Sequence, residues 1–142
     1  TQPLDVVGEV RAVLYASSSA HDCDWHIRLV DVYPDGAARF LCHGALRARF
    51  RDGYDRSVFL SPGEITRFDI EMTAAGVRFL PGHRIRIEIA SSWFPRFDRN
   101  TQTGAVNWMT DENPPVVAHQ TVKHNSQYPS HIILPLICDS PS

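Results

Sequence analysis

An all-β sandwich or barrel is the fold class that this sequence predicts, and three observations lead to it. Apolar and polar residues alternate with a period of two in seven segments, as they do in strands with one buried face. Turn sequences rich in Pro and Gly separate these segments, and no helical stripe of ten or more residues interrupts them. We therefore expect about eight antiparallel strands arranged as two facing sheets.

The first half of the chain carries the clearest alternation. The predicted buried rows are Val10, Ala12, Leu14 and Ala16 in 9–16, Trp25, Ile27 and Leu29 in 24–33, Leu46, Ala48 and Phe50 in 45–51, and Phe68, Ile70 and Met72 in 67–73. The row Arg47, Arg49 and Arg51 lies on the opposite face of its segment and is expected to be solvated. Pairing of these arginines with acidic groups on a neighbouring surface is the alternative.

The second half contributes three further strands by the same reasoning. Segment 83–90 predicts one row of the sandwich core from Ile85, Ile87 and Ile89. Segments 117–124 and 131–137 are the remaining candidates, and Pro135 moves the last one towards a sheet edge. The turns fall at 33–36, 51–55, 60–64 and 80–83, each with a Gly.

Residues 91–116 are the exception, because they show no strand pattern over about 26 residues, and loops of that length are usually functional or disordered. Their richness in Trp, Phe and Arg argues against disorder and favours a buried interface. We expect the stretch SSWFPRFDRNTQTG (91–104) to be an interdomain docking element. Its docking residues are predicted to be Trp93, Phe94, Arg96, Phe97, Arg99 and Asn100.

The docking residues are expected to have different roles. Phe94, beside Pro95, is predicted to turn inward and close the end of the sandwich. Trp93, Arg96 and Arg99 are predicted to contact the partner domain, and Asn100 to fix the turn of the loop through backbone hydrogen bonds.

Residues that could carry catalysis or hold a metal are poorly placed. No Ser lies in a GxSxG elbow, and neighbours Cys42 and His43 would point to opposite faces of a strand. In HDCDWH (21–26), three groups on one face could contribute to a metal site, but a turn leading into a strand is the preferred interpretation. No catalytic residue, metal site or cofactor is therefore predicted.

Length and charge limit the other classes of function. The 142 residues suit one domain, 1–142, and a net charge of −2 indicates neither nucleic-acid nor anionic-membrane binding. Three cysteines at irregular spacing, Cys23, Cys42 and Cys138, predict free thiols and favour a cytoplasmic protein. A homo-oligomer is a further alternative that the sequence leaves open.

Five segments in order resemble one known family. They are GEVRAVLYASSSAHDCDWHIRLVDVYPDG (8–36), GALRARFRDG (44–53), LSPGEITRFDIEM (60–72), FLPGHRIRIEIASSWFPRFDRNTQTG (79–104) and TVKHNSQYPSHIILPLI (121–137). The chain resembles the C-terminal domain of Xaa-Pro dipeptidyl-peptidases, cocaine esterase, α-amino acid ester hydrolases and glutaryl acylases. The segment GHRIRIEIASSWFPRFDRN is the most specific of these matches.

The resemblance implies a jelly-roll β-sandwich, galactose-binding-like, cut from a larger serine hydrolase. Its α/β-hydrolase catalytic domain would lie upstream and carry the Ser-Asp-His triad, so the domain in hand would pack on that catalytic domain and stabilise it. A carbohydrate-binding module is the alternative, because jelly rolls often bind sugars and an exposed Trp93 could stack on a sugar ring. A sugar platform would leave aromatic faces exposed and coplanar, whereas a docking loop would fold them against protein.

Overall fold

Seven β-strands form the regular structure of the computed structural model, which describes residues 2–137. They are β1 (Leu4–Ser18), β2 (Asp24–Val32), β3 (Ala38–Arg47), β4 (Thr66–Phe79), β5 (Arg84–Ala90), β6 (Gln120–Lys123) and β7 (His131–Ile133). A single 3-10 turn at Ala48–Phe50 is the only helical element among these residues. No helix in this part of the chain is long and apolar enough to cross a membrane.

All strand pairs are antiparallel, and their order is β5-β2-β3-β4-β1-β6, with β7 also on β1. The sheet narrows where β3 meets β4, since Gly44 and Met72 are the one pair in register there. A Cβ on Gly44 would lie 2.7 Å from the carbonyl oxygen of Glu71, so only glycine allows the strands to approach this closely. The sheet curls at this point, and its two parts enclose the core. The all-β sandwich prediction is confirmed, with seven strands where about eight were expected.

The core comes from the rows that the alternation predicts in β1, β2 and β4. Trp25 and Phe68 face each other across it with ring centroids 5.7 Å apart. The buried residues of these rows are Val10, Ala12, Leu14, Ala16, Trp25, Ile27, Leu29, Phe68, Ile70 and Met72. The predicted strands near the C-terminus are confirmed in shorter form as β6 and β7.

The strand predicted at 45–51 is displaced towards the N-terminus. β3 ends at Arg47, and the chain turns over the next three residues, so Phe50 is only partly buried. The cause is Asp22, whose carboxylate accepts the backbone N–H of Arg49 at 3.0 Å and replaces a sheet partner for that amide.

The core row predicted in β5 is wrong at both of its ends. Ile85 is 42% exposed and Ile89 is 39% exposed, while Ile87 packs against the core but is only half-buried. β5 is an edge strand, and the strands that face it, β6 and β7, have only four and three residues. An apolar cleft of about 390 Å³, lined by Ile87, Ile89, Val122 and Ile132 among others, is left between them.

Candidate functional site

The candidate site is the long connection between β5 and β6, which has no strand or helix from Ser91 to His119. The structure separates the six predicted docking residues into two groups. Trp93, Phe97 and Asn100 are partly buried against the sandwich, whereas Phe94, Arg96 and Arg99 are exposed.

The inner side of the loop lies on the outer face of β2 and β3. The Phe97 ring packs 4.9 Å from His26 and 5.8 Å from His43, measured between ring centroids. Trp93 meets His43 edge to face at 5.4 Å and Phe40 at 5.8 Å. These contacts are aromatic pairs at favourable separations, so they hold the start of the loop to the sheet.

Two guanidinium groups lie over the Trp93 ring. The Cζ of Arg28 lies 5.0 Å from the ring centroid, and that of Arg96 lies 5.2 Å from it. Cation–π contacts of this geometry add to the packing. They also remove Trp93 from the set of free aromatic faces that a sugar could stack on.

The prediction that Phe94 turns inward is wrong, because its side chain is 47% exposed. The Phe94 ring stands edge to face against Trp108, with centroids 6.3 Å apart and planes at 83°. Arg99 lies over both rings, 4.3 Å from the Phe94 centroid and 5.4 Å from that of Trp108. Trp93 and Phe97 perform the anchoring that was expected of Phe94, because the loop folds over the sheet face and not over the end of the sandwich.

We call the outward side of the loop the outer patch, formed by Phe94, Arg99, Val106, Trp108 and Met109. Val106 is 90% exposed and Met109 is 74% exposed. The outer patch therefore combines large apolar side chains that are open to water with a cation–π cluster. The Phe94 and Trp108 rings are nearly perpendicular, so they do not form a coplanar sugar platform.

A buried ion pair holds the loop near its midpoint. Asp22 is fully buried, and the Nε of Arg49 donates to its Oδ2 at 2.9 Å. Arg49 also donates from Nη1 to the carbonyl of Gly104 at 2.9 Å and from Nη2 to that of Ala105 at 2.7 Å. Arg49 therefore joins the loop to the sandwich through the loop's own main chain.

Asn100 connects this ion pair to a second one. Arg47 forms two hydrogen bonds with the Asp24 carboxylate, of 2.8 and 3.0 Å. The Nδ2 of Asn100 donates to Asp22 at 3.0 Å and to Asp24 at 2.8 Å, while its Oδ1 accepts the backbone N–H of Gln102 at 2.8 Å. The predicted turn-fixing contact of Asn100 is confirmed, and the carboxylates are the contact that the sequence did not reveal.

These pairs also correct the prediction of a solvated arginine row. Arg49 is 3% exposed, Arg47 pairs with Asp24, and Arg51 donates to the carbonyl of Ala48 at 3.1 Å. The alternative, pairing with acidic groups, is the one that the structure supports. Within residues 2–137 no group of three or more His, Cys, Asp or Glu side chains could hold a metal, and arginines satisfy Asp22 and Asp24.

A second set of hydrogen bonds stiffens the middle of the loop. Asp111 accepts from Thr101 at 2.7 Å, from Thr103, and from the backbone N–H of Asn113 at 3.0 Å. These donors, with Thr103 first, lower the pKa of Asp111 to about 2. The loop thus keeps a defined shape although it has no regular secondary structure.

The titratable groups under the loop lack the arrangement of a nucleophilic site. Burial raises the pKa of the Cys23 thiol to about 12 and also raises that of Cys42, so both thiols stay protonated. Both are unlinked. Cys42 is buried in the core while His43 faces the loop, which confirms that the two cannot meet. Cys138 lies outside the described residues.

Two histidines belong to different environments. His83 is paired with Asp31 at 2.9 Å, and across residues 2–137 no Ser or Cys is hydrogen-bonded to it. His26 is 4% exposed, and neither ring nitrogen has a partner in the protein. Burial lowers the pKa of His26, so the neutral imidazole is favoured beneath Phe97.

Sequence reasoning missed the clamp that Asp22, Arg49 and Asn100 form, and it missed Trp108. The signal for the clamp was present, since two carboxylates in HDCDWH and the arginine row were both noted. What could not be read is that a turn after β3 brings Arg49 under the loop. Trp108 lies inside the predicted loop but outside the stretch that was singled out.

Comparisons with known proteins agree with this architecture. The cocaine esterase of Rhodococcus sp. (strain MB1 Bresler) is 42% identical over 137 residues, which are 96% of this chain and 24% of the esterase. A crystal structure of an aminopeptidase from the marine sediment archaeon Thaumarchaeota archaeon superposes with a TM-score of 0.90 at 35% identity, covering 97% of this chain and 24% of that one. An α-amino acid ester hydrolase superposes with a TM-score of 0.91 at 31% identity, over 96% of this chain and 24% of that one.

The chain therefore spans about a quarter of the length of each of these relatives. The galactose-binding-like and acylase resemblances stay predictions. Residues 1–133 match the family model of the X-Pro dipeptidyl-peptidase C-terminal non-catalytic domain. This chain belongs to the family of X-Pro dipeptidyl-peptidase C-terminal non-catalytic domains.

Proposed function

We propose that this domain packs on the α/β-hydrolase catalytic domain of the same parent chain through its outer patch, and stabilises that domain. The observation that supports the proposal is a loop held in a fixed shape with its apolar side open to water. Val106 and Met109 remain exposed although hydrogen bonds and ion pairs order the loop on either side of them. Ordering a loop costs conformational entropy, and a covered patch would return part of that cost.

Arg99 gives the outer patch a polar anchor. Its guanidinium lies over two aromatic rings, and no ion pair with an acidic side chain holds it within residues 2–137. A guanidinium in this position can donate a fork of hydrogen bonds to a carboxylate or to carbonyl groups of a facing domain. Arg96, over Trp93, is the second arginine that we assign to this contact.

The whole protein would be a serine hydrolase that acts on an ester, an amide or a peptide. The relatives are esterases and an aminopeptidase, and this chain corresponds to about a quarter of each. The reaction would be nucleophilic acyl transfer to water, with the triad in the catalytic domain and no triad member here. The free thiols Cys23 and Cys42 support a reducing compartment, and so a cytoplasmic location.

Paired melts test the docking surface. Arg99→Ala and Trp108→Ala are measured in this chain alone and in the chain joined to its catalytic domain. We expect little change in the chain alone, and a loss of about 1–3 kcal/mol in the joined protein, where a desolvated contact is broken. Arg67→Ala is the matched control, because Arg67 is exposed on β4 with its partner Asp69.

Equal melting of wild type and both variants in both contexts would contradict docking through the outer patch. Glycan-array binding by wild type, lost in Trp108→Ala, would then favour the carbohydrate-binding alternative. A reading frame with no GxSxG elbow upstream of this domain would argue against the serine-hydrolase parent itself.

A further inference from the structure

One edge of β5 has no partner in the described part of the chain. β5 ends the strand order and pairs with β2 on one side only. No backbone hydrogen bond within residues 2–137 reaches its other edge. An open edge of seven residues is a template for another strand, and proteins usually cover such an edge or blunt it with charges.

The sequence of β5, RIRIEIA, is self-complementary about its central residue, Ile87. When two copies of this strand run antiparallel with Ile87 opposite Ile87, Arg86 of each copy lies opposite Glu88 of the other. On the opposite face of the strand, which also carries Ile87, Ile85 of each copy lies opposite Ile89 of the other. Opposite charges and matched β-branched residues in directly facing positions stabilise antiparallel pairs.

No neighbouring register gives the same result. Centring the pair on Arg86 places Arg84 opposite Glu88 but also two arginines opposite each other, and centring it on Glu88 places two glutamates opposite each other. A shift by one residue would place isoleucines opposite charged side chains and break the alternation of faces. The charge pattern of β5 therefore specifies one register.

The side chains that would make this contact are available. Ile85 and Ile89 are 42% and 39% exposed. The side chains of Arg86 and Glu88 are 47% and 32% exposed, and Arg28 holds the Glu88 carboxylate at 2.9 Å on the outer face of β2. Within the chain, Arg86 lies 3.8 Å from the other Glu88 oxygen, a loose contact that pairing would exchange for Glu88 of the second copy.

We propose that β5 is a homodimer interface, in which two copies of this chain pair antiparallel across a twofold axis at Ile87. The partner is a second copy because the same strand supplies both halves of each charge pair. Such a contact is isologous and closes after two subunits. It extends the β5-β2-β3 part of the sheet into the second copy. This interface shares no residue with the outer patch and goes beyond the proposed function.

Sedimentation velocity on the whole 142-residue chain tests the proposal. We expect a dimer that dissociates on dilution. Arg86→Glu opposes acidic residues at two places and should raise the dimer dissociation constant by at least about tenfold. Glu88→Arg should do the same with basic residues. Mixing the two variants should restore a dimer, because each then faces the opposite charge.

Arg84→Glu is the matched control. It makes the same charge change on the same strand and face, but Arg84 lies opposite Ala90 in the specified register. The control should dimerise nearly as wild type does. Equal weakening by Arg84→Glu and Arg86→Glu would overturn the register, and a wild-type chain that stays monomeric up to about 100 μM would overturn the interface.

A measurement on the wild-type chain tests the contact without variants that could misfold. Amide hydrogen exchange of β5 should slow as the wild-type concentration rises, while exchange in β4 should not change with concentration. A dimer that forms without added protection of β5 would place the contact elsewhere and overturn the proposal.

Discussion

The two halves of this domain differ in where they place their side chains. Within the described residues, every side chain that is fully buried lies between Val6 and Phe79. Between Leu80 and Ile137 none is fully buried, although this half contains β5, β6 and β7 and eleven large exposed apolar residues. Those eleven are Leu80, Ile85, Ile89, Phe94, Val106, Met109, Val116, Val117, Ile133, Leu136 and Ile137.

The difference indicates a division of labour along the chain. The first half supplies the core that makes the fold stable, and the second half supplies surfaces laid over it. Two features of the second half, the outer patch and the open edge of β5, combine exposed apolar side chains with charged ones, and no other part of residues 2–137 covers them. Exposed apolar surfaces of this kind are where a domain with a closed core can still contact other proteins.

The clamp between the halves should give the largest effect when it is broken. Arg49→Met leaves the buried Asp22 carboxylate without its guanidinium, and removing one partner of a buried ion pair typically costs about 3–5 kcal/mol. Urea melts of the chain measure this loss. Loop residues 104–105 should also become accessible to protease, because Arg49 holds their carbonyls.

The double variant Asp22→Asn/Arg49→Met separates the lost charge from lost packing. Removing the carboxylate charge as well should recover at least about 1 kcal/mol, because the stranded charge is gone. A double variant less stable than Arg49→Met would show that packing, and not the unpaired charge, dominates.

A pair of identical substitutions compares the halves directly. Ile27 and Ile89 are opposite each other in register on β2 and β5, yet Ile27 is 0% exposed and Ile89 is 39% exposed. Ile27→Ala should cost about 2–5 kcal/mol through lost contacts and a cavity. Ile89→Ala should cost less than about 1 kcal/mol in melts at low protein concentration, since solvent already reaches that side chain. Equal losses would mean that β5 is covered within the isolated chain.

The smallest expected effect is a dependence of stability on pH. It arises at His26, where the loop of the second half lies over the first half. The pKa of His26 is lowered by burial, so the unfolded chain binds a proton more readily than the folded one. Stability is therefore full above the unfolded value, about 6.5, and falls as pH drops from there through the lowered folded value. Burial and the nearby Arg96 also lower the pKa of His43, so His43 affects stability in the same direction.

Thermal melts between pH 7 and pH 5 check the contribution of His26. His26→Phe keeps a ring against Phe97 and should flatten the loss of stability on acidification. His124→Gln, at an exposed site beyond β6, is the control and should keep the wild-type slope. An unchanged slope in His26→Phe would assign the pH dependence to other groups.

The fold was predictable where one strand face is buried and the other is wet. In β1 and β4 the alternation identified the core rows, because both lie in the middle of the sheet with partners on each side. The same alternation misled in β5, since period two reports that a strand has two different faces and not that a second sheet is long enough to cover one. It misled again at Arg49, where a side-chain acceptor bends the strand.

The candidate site was predictable as a location and not as an arrangement. An aromatic, irregular stretch of that length indicated a functional loop, and all six chosen residues lie in it. Which ring turns inward depends on what lies beneath the loop. His26 and His43 offer rings to Trp93 and Phe97, and no residue near Phe94 in sequence carries that information.

The manner in which Arg49 holds the loop affects how the loop can diverge. Arg49 donates to main-chain carbonyls, which every amino acid has, so this contact does not depend on the side chain at residue 105. Gly104 is the exception, with φ of +91° and the Phe59 ring 3.2 Å from where a Cβ would lie. The side chains of Asn100, Thr101, Thr103 and Asp111 also hold the shape of the loop, so their identity matters as well. Exposed residues such as Val106 and Met109 take no part in these contacts, so a designer can randomise them without removing any contact that holds the loop.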